Sequence, residues 1–337
     1  VLTVLEKQLK MFDILLFNRN LQQVKNIQID EVQTVVEDPE NLIWIDIEYA
    51  SNIYPPQEIK DLLQNVLKIH PLNIEDCTIS KQNPKFEEFQ DYSFSIVYAI
   101  KNLNGEEVKF DEIDIAIGKN YVLTYRHTLI EEVETVKNAF KSKINHIHKN
   151  SSMLFHAIID HIIDGYQSVV ENLDIKIDKT GNKLFKNPNQ PKLIIGLNSL
   201  KELLTEIRSI VVAEEGMFLN ASKGFYSIVT EDENIFFKDI YDHLNKILDK
   251  LDKQSSTISN LFLIQMNLST QKLNDLIKFL TIISAILLPA NVIAGIFGMN
   301  FHNMPPLNHP SGFYITIFSM FLVGLLMAIF FIKKKWI

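Results

Sequence analysis

The chain has 337 residues, long enough for about two structural units, so a single tiny domain is excluded. Its 33 basic and 41 acidic residues leave a net charge of −8, the wrong sign for a protein that grips nucleic acid, and no basic stripe offsets it. One cysteine, Cys77, cannot form an internal disulfide, which rules out a disulfide scaffold and fits a reducing compartment.

Residues Val1 to Phe17 lack the basic start, apolar stretch and cleavage site of a secretory signal, so the N-terminal part is expected to stay cytosolic. Apolar runs at Met11–Phe17, Leu42–Ile47, Phe94–Ile100, Ile113–Ile117 and Tyr121–Tyr125 alternate with helical stretches such as Pro56–Leu67. The pattern predicts an α+β domain, a mixed sheet flanked by helices. Asn104-Gly105 between the third and fourth runs predicts a hairpin, so the sheet is at least partly antiparallel. From Leu129 the period becomes helical. Ser152–Phe185 and Lys192–Ala213 predict two long helices, parted by Asn187-Pro188 and Gln190-Pro191.

A third helix starts near Asp232, and no Gly or Pro interrupts it from Glu233 to Ser284. Ile240, Leu244, Ile247, Leu251, Ile258, Leu261 and Leu268 recur along it in alternating steps of three and four, as in a bundle-forming stalk, so self-association is expected, with an amphipathic helix packed on its own domain as the alternative. The chain's decisive feature follows. From Phe279 to Ile332 there is no Asp, Glu, Lys or Arg. Within that window Phe279–Phe297 and Phe313–Ile332 each run about 20 residues, the length that crosses a hydrocarbon core of about 30 Å. Both are read as membrane-spanning helices. Lys272 and Lys278 precede the first, Lys333, Lys334 and Lys335 follow the second, and the linker between them has no Lys or Arg. The positive-inside rule then puts both termini in the cytoplasm. The expected layout is a cytoplasmic α/β domain at 1–150, a helical hairpin at 151–231, a stalk at 232–278 and a first span at 279–300. An outer loop at 301–312, a second span at 313–332 and a basic tail at 333–337 complete it.

Gly298-Met299-Asn300 ends the first span, and Lys333-Lys334-Lys335-Trp336 follows the second. Together with His70-Pro71-Leu72, Glu75-Asp76 and Lys238-Asp239-Ile240-Tyr241-Asp242-His243, they make the chain resemble the CorA family of magnesium transporters over most of its length. The resemblance implies a funnel-shaped homopentamer in the cell inner membrane that takes up magnesium, with cobalt and nickel as further cargo, down the electrochemical gradient. It implies a selectivity filter at Gly298, Met299 and Asn300. Steps of three and four back from Gly298 then select Gly295, Asn291, Leu288, Ser284, Ile277 and Asn274 as pore-lining, with Leu280 and Thr281 beside them. Neutral amide and hydroxyl oxygens suit Mg²⁺, which sheds its water reluctantly. Ile277 and Leu280 would form an apolar neck, and Pro289 marks a bend. Taken singly, Asn300 also reads as a helix cap, and Ser284 and Asn291 as interhelical hydrogen-bonding groups.

The family pattern also implies regulatory Mg²⁺ between subunits, here at Glu75, Asp76, Asp160, Asp239 and His243, all of which could equally be surface charge. No nucleotide is expected, since no phosphate-binding glycine loop occurs, and no catalytic constellation points to an enzyme. The chain departs from the family pattern in its outer loop, which has no acidic residue but carries His302 and His309, and in Phe297 where the family often has Tyr. Two competing readings remain at this level: a zinc transporter of the same fold, and a membrane-anchored magnesium sensor that does not transport.

Overall fold

The computed structural model describes residues 12–49, 55–79, 81–103, 107–142, 147–187, 190–299, 309–334 and 336. Seven strands form one sheet: β1 Phe12–Asn18, β2 Gln23–Asn26, β3 Asn41–Glu48, β4 Lys85–Glu88, β5 Tyr92–Leu103, β6 Glu107–Gly118 and β7 Tyr121–Arg126. Their order is β2-β1-β3-β7-β6-β5-β4. β3 and β7 pair in parallel and the other neighbours antiparallel, giving the mixed sheet expected from sequence. β3 and β7 lie in the middle and are apolar on both faces because both faces are covered, so nearly every residue of the two is buried. The expected hairpin is the longest ladder, β5 to β6, from Tyr92 opposite Gly118 to Leu103 opposite Glu107. Its Asn104-Gly105 tip lies outside the described residues.

The helices are α1 Val32–Val35, α2 Gln57–Asp61, α3 Pro71–Thr78, α4 Glu131–Lys141, α5 Ser151–Lys186, α6 Pro191–Ser222, α7 Asn234–Phe297 and α8 Gly312–Lys333. α2 runs on as one wide turn, Leu62–Val66, with five-residue hydrogen bonding. The start of α3 is written in its sequence: Pro71 occupies the first turn, where no N–H is missed, and the His70 ring accepts from the Leu72 N–H. α7 is preceded by a capping box in which Thr230 and Glu233 satisfy each other's backbone N–H groups. Glu233 is fully buried there and accepts from Asn150 Nδ2 at 2.7 Å, which ties the start of α7 to the start of α5.

The chain divides into two compact units. The first holds residues up to Asn182 together with Lys192–Ile258. Its core joins the sheet residues Ile43, Ile45, Phe94 and Leu123 to Leu63 and Ile69. On its helical side Leu173, Ile177, Leu204, Ile207 and Val211 are buried, and so are Ile240, Leu244, Ile247, Leu251 and Ile258 of α7. This part of the α7 stripe is therefore covered by the chain's own residues. The expected self-association seam fails for Ile240–Ile258 because burying the stripe internally removes the same apolar area from water.

The second unit holds Lys183–Pro191 and Ser259–Ile337. α7 runs for 64 residues as one helix and continues through Pro289, and α8 follows it in the chain. Both are long and apolar enough to cross a membrane.

Candidate metal centre and permeation face

In the second unit, α7 and α8 meet along one face each. Ile282 is buried, and Ala285, Ile286, Pro289, Ala290 and Ile293 are half-buried, a spacing that marks one side of a helix. From α8 the half-buried Thr316, Met320, Val323, Gly324 and Met327 repeat with the same period. A Cβ on Gly324 would stand 3.7 Å from the Ile286 side chain, ordinary van der Waals contact, so the two helices lie against each other at this point.

Asn274, Ile277, Leu280, Thr281, Ser284, Leu288, Asn291, Gly295, Gly298 and Met299 are all exposed in the single chain. At about 100° per residue, Ser284, Leu288, Asn291 and Gly295 fall on the side of α7 opposite the α8 contact. One face of α7 is thus used within the chain, and the face carrying the polar stripe is left open. Around Gly295 nothing lies within 4 Å of the Cβ position, so that face is bare at its outer end. Thr281 Oγ1 donates to the Ile277 carbonyl at 2.8 Å. Asn300 and His302 lie outside the described residues. His309 caps the chain ahead of α8, its Nδ1 accepting from the Ser311 N–H at 3.2 Å.

The first unit brings together a group of potential metal ligands from two helices. Asp160 projects from α5, and Asp239 and His243, one turn apart, project from α7. One ligand atom from each lies within 4.8 Å of the other two. His243 Nε2 stands 3.8 Å from Asp239 Oδ1. Asp239 is exposed and the other two are half-buried, so a hydrated hard cation can reach the group from solvent.

Sequence reading missed Asp164, one turn beyond Asp160 on α5. Burial and the nearby Asp160 carboxylate raise its pKa, partly offset by His243 and His161. Asp164 and His243 both line a groove of about 440 Å³ that also includes Asp249 and Lys250. The signal was available, since Asp160 and Asp164 are four residues apart on a helix.

Glu75 and Asp76 do not join this constellation within one chain. They sit on α3, and Asp76 is engaged by Lys85 from β4, with Nζ 2.9 Å from Oδ2. Lys85 also reaches Glu87 at 3.1 Å.

A sequence model of the family described as CorA-like Mg²⁺ transporter protein matches residues 39–335. The chain belongs to that family. CorA-like proteins are transporters, which places this chain among membrane transport proteins and not among enzymes. Among its CorA-like relatives, the cobalt/magnesium transport protein CorA of Thermotoga maritima is 26% identical over 332 residues, 97% of this chain and 93% of that protein. The complete structure of the CorA magnesium transporter from Methanocaldococcus jannaschii superposes with a TM-score of 0.81 at 20% identity, covering 97% of this chain and 99% of that one. The full-length CmaX protein gives a TM-score of 0.74 at 14% identity, covering 97% of both chains. These two likenesses establish the shared fold: a mixed α/β domain, a long helix and a second apolar helix.

Proposed function

We propose that the protein is a homopentameric magnesium channel, with cobalt and nickel as further cargo, whose opening is controlled by cytoplasmic Mg²⁺. The observation that carries this reading is the division of α7 into two faces. Its α8-facing side is packed within the chain, while the side bearing Asn274, Ser284 and Asn291 is open. A lipid-facing anchor has no use for a polar stripe, and five copies turned toward a common axis would give it one.

In this reading Asn300, with Gly298 and Met299, forms the outer filter and holds hydrated Mg²⁺ through neutral oxygens. Thr281, Ser284 and Asn291 continue the polar lining, Leu288 and Gly295 shape it, and Ile277 and Leu280 form the neck. Both termini lie in the cytoplasm and the protein sits in the inner membrane, as the lysines flanking the spans favour. The membrane potential supplies about 2.3 kcal/mol per charge per 100 mV, doubled for a divalent ion, so no nucleotide is required.

Regulation works through differential binding. Cytosolic Mg²⁺ at Asp160, Asp239 and His243, completed by Glu75 and Asp76 of a neighbouring subunit, stabilises the closed arrangement, and its loss frees the α7 helices to widen the neck. The convergence of Asp160, Asp239 and His243 supports this.

Parallel Mg²⁺ and Zn²⁺ uptake into proteoliposomes with an inside-negative potential tests the reading. Mg²⁺ entry is expected. Entry of Zn²⁺ alone would instead identify a zinc carrier, and absence of both in correctly oriented protein would identify a sensor.

A further inference from the structure

A second cluster of metal-ligating groups lies inside the α/β domain, apart from Asp160, Asp239 and His243. Glu112 and Asp114 are two residues apart on β6 and share one face of the sheet. Asp114 stands opposite Tyr125 of β7, and Ile113 opposite Arg126, so His127, the next residue, is brought beside Glu112. One ligand atom each from Glu112, Asp114 and His127 lies within 4.8 Å of the other two.

The two carboxyl groups of the cluster are buried and His127 is half-buried. Glu112 is 6% exposed and Asp114 1%, yet Glu112 Oε1, Asp114 Oδ1 and His127 Nε2 have no hydrogen-bond partner among the described residues. The rest of each group is anchored. Glu112 Oε2 accepts from the backbone N–H of Lys81 at 2.5 Å and of Gln82 at 2.7 Å, with the Tyr98 hydroxyl 2.6 Å away. His127 Nδ1 lies 2.8 Å from the Tyr49 carbonyl, an acceptor only, so Nδ1 carries a proton and donates it there. In the neutral ring that leaves the lone pair on Nε2.

Buried carboxyl groups this close together are relieved of their mutual repulsion either by a proton or by a coordinated metal. The nearby cation, Lys85, is committed to Asp76 and Glu87. Cys77 of α3 adjoins the cluster, its thiol hydrogen-bonded to Asp114, and is itself buried. The orienting hydrogen bond on the far nitrogen of His127 is the usual arrangement for a metal-bound imidazole.

From this geometry we infer that Glu112, Asp114 and His127 form a buried binding site for a first-row transition-metal dication such as Zn²⁺. Magnesium fits poorly. It keeps several waters and prefers oxygen, whereas this cluster places two buried carboxyl groups beside an imidazole. Because Glu112 also holds the backbone of Lys81 and Gln82, just beyond α3, the bound ion fixes the segment that follows Glu75 and Asp76.

The test uses the full chain, purified in detergent, stripped with a chelator and dialysed against Zn²⁺. Wild type is expected to retain one more Zn²⁺ per subunit than His127→Gln or Asp114→Asn, while Asp239→Asn loses a different ion and keeps this one. Equal zinc content in wild type and both cluster variants would overturn the proposal. Crystals of the wild type grown with Zn²⁺ decide the matter even if the variants do not fold. An anomalous peak about 2 Å from His127 Nε2 is expected, and its absence where Asp239 and His243 carry zinc would also overturn the site.

Discussion

Lys85 Nζ lies 2.9 Å from Asp76 Oδ2, so a carboxylate that the sequence marks as a magnesium ligand is already charge-paired inside its own subunit. An incoming Mg²⁺ competes with that ammonium. Both side chains are partly exposed, which keeps the pair weak enough to exchange.

Lys85→Met should therefore free Asp76 and shift Mg²⁺ inhibition of flux to concentrations lower by several-fold. Titration of internal Mg²⁺ against uptake in proteoliposomes measures this. Unchanged or weakened inhibition would show that Asp76 does not take part.

Asp239→Ala should have the opposite effect. Removing the exposed carboxylate from the group it shares with Asp160 and His243 is expected to raise the inhibitory Mg²⁺ concentration about tenfold, a coupling of about 1.4 kcal/mol. The same inhibition curve in variant and wild type would contradict regulation at this position.

Glu214 gives a prediction about pH. Burial raises its pKa to about 8, against 4.5 for a free side chain, with the Tyr98 N–H and the Tyr166 hydroxyl offsetting part of the rise. The Tyr98 N–H donates to Oε1 at 3.1 Å, and Tyr166 Oη lies 3.0 and 2.9 Å from the two carboxyl oxygens. The Tyr166 hydroxyl also hydrogen-bonds the Tyr98 carbonyl. An acid raised on folding binds more protons folded than unfolded. Its contribution is full below about pH 4.5, falls as pH rises to about 8 and is flat above. Glu214→Gln should remove that fall, so its stability in detergent, read from thermal unfolding, gains on wild type across this window by on the order of 5 kcal/mol. A constant difference between the two proteins would contradict a neutral Glu214.

Arg126 makes the buried ionic centre of the sheet. Its NH2 lies 2.9 Å from Asp46 Oδ2, which Lys137 Nζ approaches at 2.5 Å, and its Nε donates to Asp46 Oδ1 at 3.1 Å. Desolvation works against the Asp46 charge, but the two cations win and hold its pKa below the ordinary value. Arg126→Met leaves a buried carboxylate half-compensated and should cost about 3–5 kcal/mol. Thermal unfolding of the full chain measures it, and a loss below about 1 kcal/mol would show that Lys137 alone suffices.

The long elements were legible because composition overdetermines them. Strands β3 and β7 carry the apolar runs Leu42–Ile45 and Tyr121–Leu123, α5 and α6 are bounded by proline breaks, and the two spans lack charge altogether. Strands β2, QVKN, and β4, KFEE, were missed because edge strands are short and polar. α3 escaped too, although His70-Pro71 is a readable helix start. The apolar stripe of α7 was legible, but its partner was not, since helical spacing says that a face is buried and not by what. Of the metal groups, Asp239 and His243 share one helix turn and could be seen together. Glu112 and His127 are joined only by the pairing of β6 with β7, which a linear reading does not supply.

The most direct test compares wild type with Asn300→Ala in proteoliposomes under an inside-negative potential, following Mg²⁺ entry with orientation verified. Potential-driven entry in wild type that is lost in the variant is the predicted result. Equal entry in both, or none in wild type, would contradict a magnesium pore with Asn300 at its filter.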